Sequence, residues 1–201
     1  MPLKLAILIS GRGSNMQAIH RAIQDKKLDA NILGVISDQP TAGGLEYAKN
    51  AGLPHFVLQK QKEENREDFD RRLTEKIQAL GVDLVVLAGY MRLLSPLFIR
   101  TFEHKIVNIH PSLLPAFPGL HAQRQALAAG VPFSGCTVHF VDEGCDTGPI
   151  IDQRIVPVLP NDTEESLSAR ILEQEHQLYS ACLQGLSEGK IRLEGDKVLI
   201  L

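Results

Sequence analysis

Short, continuous apolar runs alternate with stretches of helical spacing along most of this chain. Such runs, which have the length of strands rather than of buried helices, lie at residues 3–9, 32–36, 84–88 and 106–109. Between the first two runs, Met16, Ile19 and Ile23 recur at helical spacing instead. Strands that are apolar on both faces and are separated by helices are typical of a parallel sheet. The alternation therefore predicts an α/β fold with a Rossmann-like open, mostly parallel sheet and helices on both of its faces.

The chain is predicted to form one domain, residues 1–201, that ends in a β-hairpin. Its 201 residues suffice for one well-buried core, and neither a low-complexity linker nor a shift in composition divides them. Gly195-Asp196 stands between two short apolar runs, as the turn of a terminal hairpin does.

The net charge and the cysteine content indicate which classes of partner and which cellular compartment to expect. The formal net charge is -3 and no Lys/Arg stripe is present, which argues against nucleic acid and favours small molecules. No segment reaches membrane-spanning length and no signal-peptide pattern opens the chain, so we expect a cytoplasmic protein without a membrane partner. Cys136, Cys145 and Cys182 are odd in number and lack CxxC spacing, so reduced thiols are expected rather than disulfides or a zinc site.

Polar residues end the apolar run at 106–109. Asn108 and His110 alternate with apolar residues, so their side chains share one face of the strand, and Pro111 ends the strand directly afterwards. Ligands of open α/β sheets bind at the carboxyl ends of strands, which makes this amide and this imidazole candidates for chemistry. Asp146, in an acidic loop rich in glycine, is the candidate carboxylate. A packed core histidine and a turn-forming aspartate explain the same pattern equally well.

A glycine turn at residues 11–15 follows the first predicted strand. Glycines let the backbone approach an anion, and Ser14 and Asn15 can cap a helix whose N–H groups favour phosphate. The dinucleotide spacing GxGxxG fails because position 16 is Met, so the turn alone is a weak signal for a nucleotide-like ligand. An ordinary strand-to-helix turn remains the alternative.

Two further polar stretches have an open interpretation. Residues 59–68 are predicted to be an exposed loop in which Arg66 is a surface charge. Asp162 with Glu165 resembles a capping box for a helix that continues to residue 187. Polar residues at 174–176 interrupt its buried stripe, so they contact a partner or ligand there or form an exposed turn.

Taken together, residues 108–115 and 142–149 resemble the phosphoribosylglycinamide formyltransferase family, the folate-dependent enzymes of purine biosynthesis. The resemblance covers essentially the whole chain and includes residues 9–15, 88–92, 135–141 and 174–176. It implies transfer of a formyl group from 10-formyltetrahydrofolate, the co-substrate, to the amine of 5'-phosphoribosylglycinamide. It implies neither a metal nor a nicotinamide cofactor.

The resemblance also implies roles for particular residues. The residues implied to bind the phosphoribosyl substrate are Gly13, Ser14, Asn15, Leu172, Glu173, Gln174 and Glu175. Those implied to bind the folate are Arg66, Met91, Arg92, Leu93, Leu94, Asn108, Asp142, Glu143, Gly144, Cys145 and Asp146. Leu172 cannot bond phosphate or ribose through its side chain, so Glu175 is the better supported contact of its segment. His121 and His139 are secondary candidates for lining the folate pocket, and residues 112–131 are predicted to form a mobile lid.

The implied catalytic residues are Asn108, His110 and Asp146. Attack of an amine on the formyl carbon produces an oxyanion, to which Asn108 and protonated His110 are suited to donate. A carboxylate next to the imidazole raises the histidine pKa, which is the role implied for Asp146.

Other functions remain open from the sequence. Hydrolysis of formyltetrahydrofolate would use the same fold with water in place of the amine. A catalytically silent ligand-binding or regulatory module would use His110 and Asp146 for stability only. Transfer RNA formylation is disfavoured because an additional basic domain is absent. A weak homodimer is also left open.

Overall fold

The computed structural model describes every residue from Met1 to Leu201. Contacts within the chain separate it into two compact units, Met1–Val107 and Asn108–Leu201. None of the helices combines the length and the apolar character that crossing a membrane requires.

The unit Met1–Val107 alternates strands with helices. β1 pairs in parallel with β2 and with β4, and β2 pairs in parallel with β3. Five consecutive residues of β1 are fully buried, as a central strand covered on both faces requires. The elements are β1 (Leu3–Ile9), α1 (Ser14–Gln24), β2 (Ala30–Ser37), α2 (Gly43–Asn50), β3 (His55–Val57), α3 (Arg66–Leu80), β4 (Leu84–Leu87) and α4 (Pro96–Thr101).

The unit Asn108–Leu201 contains an antiparallel pair, β6 with β7, covered by the long helix α6. The predicted stripe of Leu167, Ile171, Leu178 and Cys182 is buried on that helix. The elements that follow α4 are β5 (Ile106–His110, across the boundary), α5 (Ala122–Ala129), β6 (Phe133–Phe140), β7 (Ile150–Pro157), α6 (Glu164–Ser187), β8 (Ile191–Glu194) and β9 (Lys197–Ile200).

The strands form a mixed sheet of seven, in the order β3-β2-β1-β4-β5-β6-β7, and a separate hairpin of β8 and β9. The predicted α/β fold with a mostly parallel sheet and a C-terminal β-hairpin is confirmed. The alternation of apolar runs predicted it because each buried strand is bounded by turn residues on both sides.

The segment 59–68 differs from its prediction as an exposed loop. Helix α3 begins at Arg66, because the side chain of Asn65 accepts a hydrogen bond of 2.9 Å from the N–H of Asp68. Glu67 and Asp68 also place negative charge at the positive end of the helix dipole. Arg66 is therefore an exposed residue on the first turn of a helix, which restricts where its side chain can reach.

The capping box of α6 also lies one residue away from its prediction. Thr163 and Ser166 cap each other's backbone N–H groups, instead of Asp162 and Glu165. Asp162 is used differently, because both of its oxygens accept hydrogen bonds of 2.8 Å from the Arg170 guanidinium. The bonds from Arg170, together with one from the N–H of Leu159, hold the pKa of Asp162 well below its usual range.

We predict that Asp162→Asn lowers the thermal stability of the protein in a pH-dependent way. A carboxyl whose pKa is lowered by folding stabilises the folded state fully above its unfolded pKa, about 3.9, and loses that contribution as the pH falls further. The difference in Tm between wild type and variant should therefore be largest at neutral pH and shrink in acid. Asp25→Asn is the control, because Asp25 pairs with Lys27 on the surface at 3.4 Å and should matter little. Equal losses in both variants would contradict the assignment.

Candidate active site

The three predicted catalytic side chains lie together in the unit Asn108–Leu201. Asn108 and His110 project from the end of β5, and His110 is only 5% exposed. Its Nδ1 lies 3.3 Å from Oδ2 of Asp146. An amide and an imidazole therefore stand side by side on one strand, with a carboxylate next to the imidazole.

The other ring nitrogen of His110 contacts the backbone. Its Nε2 lies 2.9 Å from the carbonyl oxygen of Phe117, and a carbonyl only accepts, so Nε2 carries a hydrogen. Nδ1 then faces the Asp146 carboxylate, a contact that is attractive only if Nδ1 also carries a hydrogen. Both hydrogens are present only in the imidazolium. The hydrogen-bond geometry thus favours the charged form of His110.

The loop at residues 141–149 holds Asp146 in place. Asp146 has a left-handed backbone, φ +56°, and its Oδ2 accepts a hydrogen bond of 2.8 Å from the N–H of Gly119. Asp142 stabilises the loop by accepting from the N–H of Gly144 and from the hydroxyl of Thr147. The predicted folate residues at 142–146 form a tight turn, in which Asp142 has a structural role.

His139 is a member of this cluster that the sequence ranked only as pocket lining. Its Nε2 is 3.2 Å from Nδ2 of Asn108 and 3.7 Å from Oδ1 of Asp146, and its Nδ1 is 2.8 Å from the carbonyl of Phe140. Burial lowers the pKa of His139, although Asp146 acts in the opposite direction. All of β6 is buried beyond its first residue, so hydropathy alone could not separate this histidine from a core residue.

The start of the predicted lid at 112–131 is firmly anchored. The hydroxyl of Thr137 donates to the carbonyl of Ser112 at 2.7 Å and accepts from the N–H of Leu114 at 3.0 Å. Gln153 donates to the carbonyl of Leu114 as well. These bonds fix residues 112–114 to the strands β6 and β7, and α5 gives residues 122–129 regular structure.

The glycine turn lies in the unit Met1–Val107, directly before α1. Gly13 is the N-cap with φ +67°, and no side chain caps the helix, so the prediction that Ser14 or Asn15 caps it is wrong. They are instead its first two residues. A Cβ on Gly13 would lie 3.0 Å from the Cα of Gly44, so the turn packs closely against the start of α2. The first N–H groups of α1 are not satisfied by any capping side chain.

A cationic cavity of about 290 Å³ lies elsewhere in the same unit. It is lined by three of the predicted folate residues, Arg66, Arg92 and Leu93, and by Lys60, which the sequence analysis did not identify. The Arg92 guanidinium lies over the ring of Phe69, 4.0 Å from its centre, which fixes its orientation.

The segment that carries Arg92 presents its side chains unevenly. Met91 and Leu93 are each 68% exposed, whereas Leu94 is buried, so the side chain of Leu94 packs in the core. The hydroxyl of Ser10 accepts from the N–H of Met91 at 2.9 Å and donates to the Asp38 carboxylate at 2.7 Å. This relay fixes the segment to the end of β1.

The remaining predicted residues have clear positions. On α6, Glu173 is exposed, Leu172 and Gln174 are half-buried, and Glu175 is buried. Cys145 is exposed, and partial burial with the adjacent Asp146 carboxylate raises the pKa of its thiol, which disfavours a nucleophilic thiolate. No group of three or more His, Cys, Asp or Glu side chains is arranged to hold a metal ion.

Known proteins resemble this chain over nearly its whole length. The Formyl transferase family model matches residues 3–183. The chain is 50% identical, over 92% of its length, to the trifunctional purine biosynthetic protein adenosine-3 of Drosophila melanogaster, but spans only 14% of that protein. It is 41% identical to the phosphoribosylglycinamide formyltransferase of Escherichia coli, covering 95% of this chain and 90% of that protein. The crystal structure of glycinamide ribonucleotide transformylase 1 from Symbiobacterium toebii superposes with a TM-score of 0.96 at 48% identity, covering 100% of this chain and 94% of that one.

Proposed function

This chain belongs to the formyl transferase family, and on that premise we propose that it transfers a formyl group from 10-formyltetrahydrofolate to the amine of 5'-phosphoribosylglycinamide in de novo purine biosynthesis. The observation that carries the proposal is the cluster at the end of β5. There an amide donor, Asn108, stands beside the imidazole of His110, and the carboxylate of Asp146 lies 3.3 Å from that ring. Residues 1–201 act as a single formyltransferase domain in the cytoplasm, on two small molecules and without nucleic acid, resident metal or nicotinamide.

The phosphate of the amine substrate binds at the turn of Gly13, Ser14 and Asn15. The left-handed Gly13 and the absence of a capping side chain suit the start of α1 to an anion. The helix dipole adds to the attraction. Residues 172–175 make a second contact, for which the carboxylate of Glu175 is suited to accept from hydroxyls or from the substrate amine.

The folate binds through the cationic cavity and the segment beside it. A folate ends in a glutamate, whose carboxylates suit Arg66 and Arg92, with Lys60 as a third cation. Met91 and Leu93 offer exposed apolar side chains to its rings. Leu94 contributes backbone atoms only. The loop at residues 142–146 borders the pterin.

Catalysis follows from where charge develops. The amine attacks the formyl carbon, and the carbonyl oxygen becomes an oxyanion in a tetrahedral intermediate. Asn108 and charged His110 donate hydrogen bonds to it, and Asp146 stabilises the charge on His110. The intermediate then collapses as the bond between the formyl carbon and the folate nitrogen breaks. That nitrogen gains a proton and leaves as part of tetrahydrofolate, and the nitrogen of the new amide loses a proton. No covalent enzyme intermediate is needed, in agreement with the raised pKa of Cys145.

The proposal is tested by supplying 10-formyltetrahydrofolate with and without 5'-phosphoribosylglycinamide. Release of tetrahydrofolate that requires the amine, with matching formation of the formylated product, is expected. Release at the same rate without the amine would establish hydrolysis instead. Binding without turnover under either condition would establish a silent ligand-binding module.

We predict that Gly13→Ala weakens binding of phosphoribosylglycinamide by about tenfold or more, the equivalent of one weakened hydrogen bond to a charged group. The new Cβ would meet the Cα of Gly44 and strain a left-handed backbone, so the turn must shift. Binding of the folate should change little. Calorimetry with each ligand measures both affinities.

Gly52→Ala is the matched control for this prediction. Gly52 has nearly the same backbone angle, φ +70°, but a Cβ there would meet no atom within 4 Å. It should reproduce the cost of backbone strain without an effect on either ligand. If both variants lowered the affinity for phosphoribosylglycinamide equally, the turn would not be the phosphate site.

We predict that Asp146→Asn acts through His110. The amide keeps the size of the carboxylate but not its charge, so the His110 imidazole loses the negative charge 3.3 Å from its ring and kcat should fall. His110→Ala should lose at least ~10²- to 10³-fold in kcat, the usual value of one donor to an oxyanion. The double variant should be little worse than His110→Ala, because Asp146 then has no target.

A double-mutant cycle in kcat measures this coupling. Asp152→Asn removes an exposed carboxylate from the same unit and serves as the charge control. Losses in kcat that multiply in the double variant would show that the two residues act independently.

A further inference from the structure

The tautomer of His139 is determined by its backbone contact. Its Nδ1 lies 2.8 Å from the carbonyl oxygen of Phe140, so the hydrogen must be on Nδ1. The ring is only 2% exposed, and burial lowers its pKa, so it carries no second hydrogen near neutral pH. Nε2 therefore presents a lone pair.

That lone pair determines how the side-chain amide of Asn108 is turned. The amide atom opposite Nε2, at 3.2 Å, must be the Nδ2 donor, because the Oδ1 acceptor would face another acceptor in a buried place. Nδ2 carries two hydrogens, and His139 takes only one of them. The second hydrogen remains available, and its direction is fixed along with the amide plane.

The distance between Asp146 and His139 exceeds that of a hydrogen bond, so it does not require a hydrogen on Nε2. Its Oδ1 lies 3.7 Å from Nε2 of His139, which has no hydrogen to offer it, while its Oδ2 lies 3.3 Å from Nδ1 of His110. The carboxylate thus lies near two imidazoles that differ in the nitrogen facing it, Nδ1 of His110 and the Nε2 lone pair of His139. Its charge supports the proton on His110, and a charged His110 in turn disfavours a proton on His139.

We propose that His139 is a positioning residue, which holds the Asn108 amide so that its second Nδ2 hydrogen is directed at the oxygen of the transferred formyl group. The inference rests on the proposed function and adds a requirement to it: the amide must be held in one of its two orientations. Without His139 the amide can flip and present its oxygen to the developing oxyanion, which would repel it. His139 itself does not touch the substrate.

Two substitutions separate this role from simple packing. In His139→Gln the amide oxygen can reach the position of Nε2 and accept from Asn108. In His139→Asn the shorter side chain can reach only the position of Nδ1, so it bonds Phe140 and leaves Asn108 without an acceptor. We expect kcat within about threefold of wild type for Gln and at least about tenfold lower for Asn, since a misdirected oxyanion donor loses part of its ~10²- to 10³-fold value. KM for phosphoribosylglycinamide should not change in either.

A double-mutant cycle with Asn108→Ala links the effect to the amide. His139→Asn should cost almost nothing further in kcat once Asn108 is absent. Equal losses in the Gln and Asn variants, or a full loss in the Asn108→Ala background, would overturn the proposal. These comparisons use kcat relative to that of the wild type. If neither the wild type nor any variant shows turnover, the proposed function is wrong, and the tautomer of His139 can still be measured.

NMR on the unmodified protein gives a test that does not depend on folding of the variants. Long-range proton–nitrogen correlations should show His139 with a protonated Nδ1 and an unprotonated Nε2 at neutral pH. The side-chain amide of Asn108 should show one hydrogen that exchanges slowly and one that exchanges faster. A hydrogen on Nε2 of His139 would overturn the proposal, because Asn108 would then have to present its oxygen.

Discussion

A single carboxylate beside two imidazoles determines the arrangement of the candidate active site. Asp146 lies 3.3 Å from His110 and 3.7 Å from His139, yet the two rings respond in opposite ways. The difference comes from their other contacts. The Phe117 carbonyl takes the Nε2 hydrogen of His110 and leaves Nδ1 for the carboxylate, whereas the Phe140 carbonyl takes the only hydrogen of His139. Two backbone carbonyls thus decide which ring nitrogen of each histidine carries a hydrogen.

Holding the Asp146 carboxylate in place costs free energy, part of which nearby backbone groups offset. The left-handed backbone of Asp146 costs about 1–2 kcal/mol, although aspartate tolerates it better than most residues. The N–H of Gly119 offsets part of the cost of removing the carboxylate from water. The loop leaves no space for a side chain at Gly148, because a Cβ there would clash with the carbonyl oxygen of Phe140. The same strand end thus orients His139 and confines the loop of Asp146.

Much of this structure could be predicted because the physics is local. An apolar run that ends in Asn108, His110 and Pro111 defines both a strand and the place where polar groups emerge from it. The start of α3 was missed, although Asn65 stands three residues before Asp68, as in many helix caps. The capping box of α6 was misplaced because Ser166 plays the part usually given to Glu or Gln. The role of His139 could not be predicted, since it depends on residues distant in sequence and on which ring nitrogen bears the hydrogen. Lys60 was missed for a similar reason, because only folding brings it next to Arg92.

In the proposed mechanism, the Phe117 carbonyl competes with the reacting oxygen for the Nε2 hydrogen of His110. A peptide carbonyl and a formyl carbonyl are chemically alike, so exchanging one for the other on Nε2 changes the free energy little. An oxyanion is a much stronger acceptor than either, and it would win that exchange decisively. In that mechanism, the Phe117 carbonyl gives up the Nε2 hydrogen of His110 only to a reacting oxygen that has already gained negative charge. Selectivity for the transition state over the bound substrate can thus arise from a carbonyl group that takes no part in the reaction.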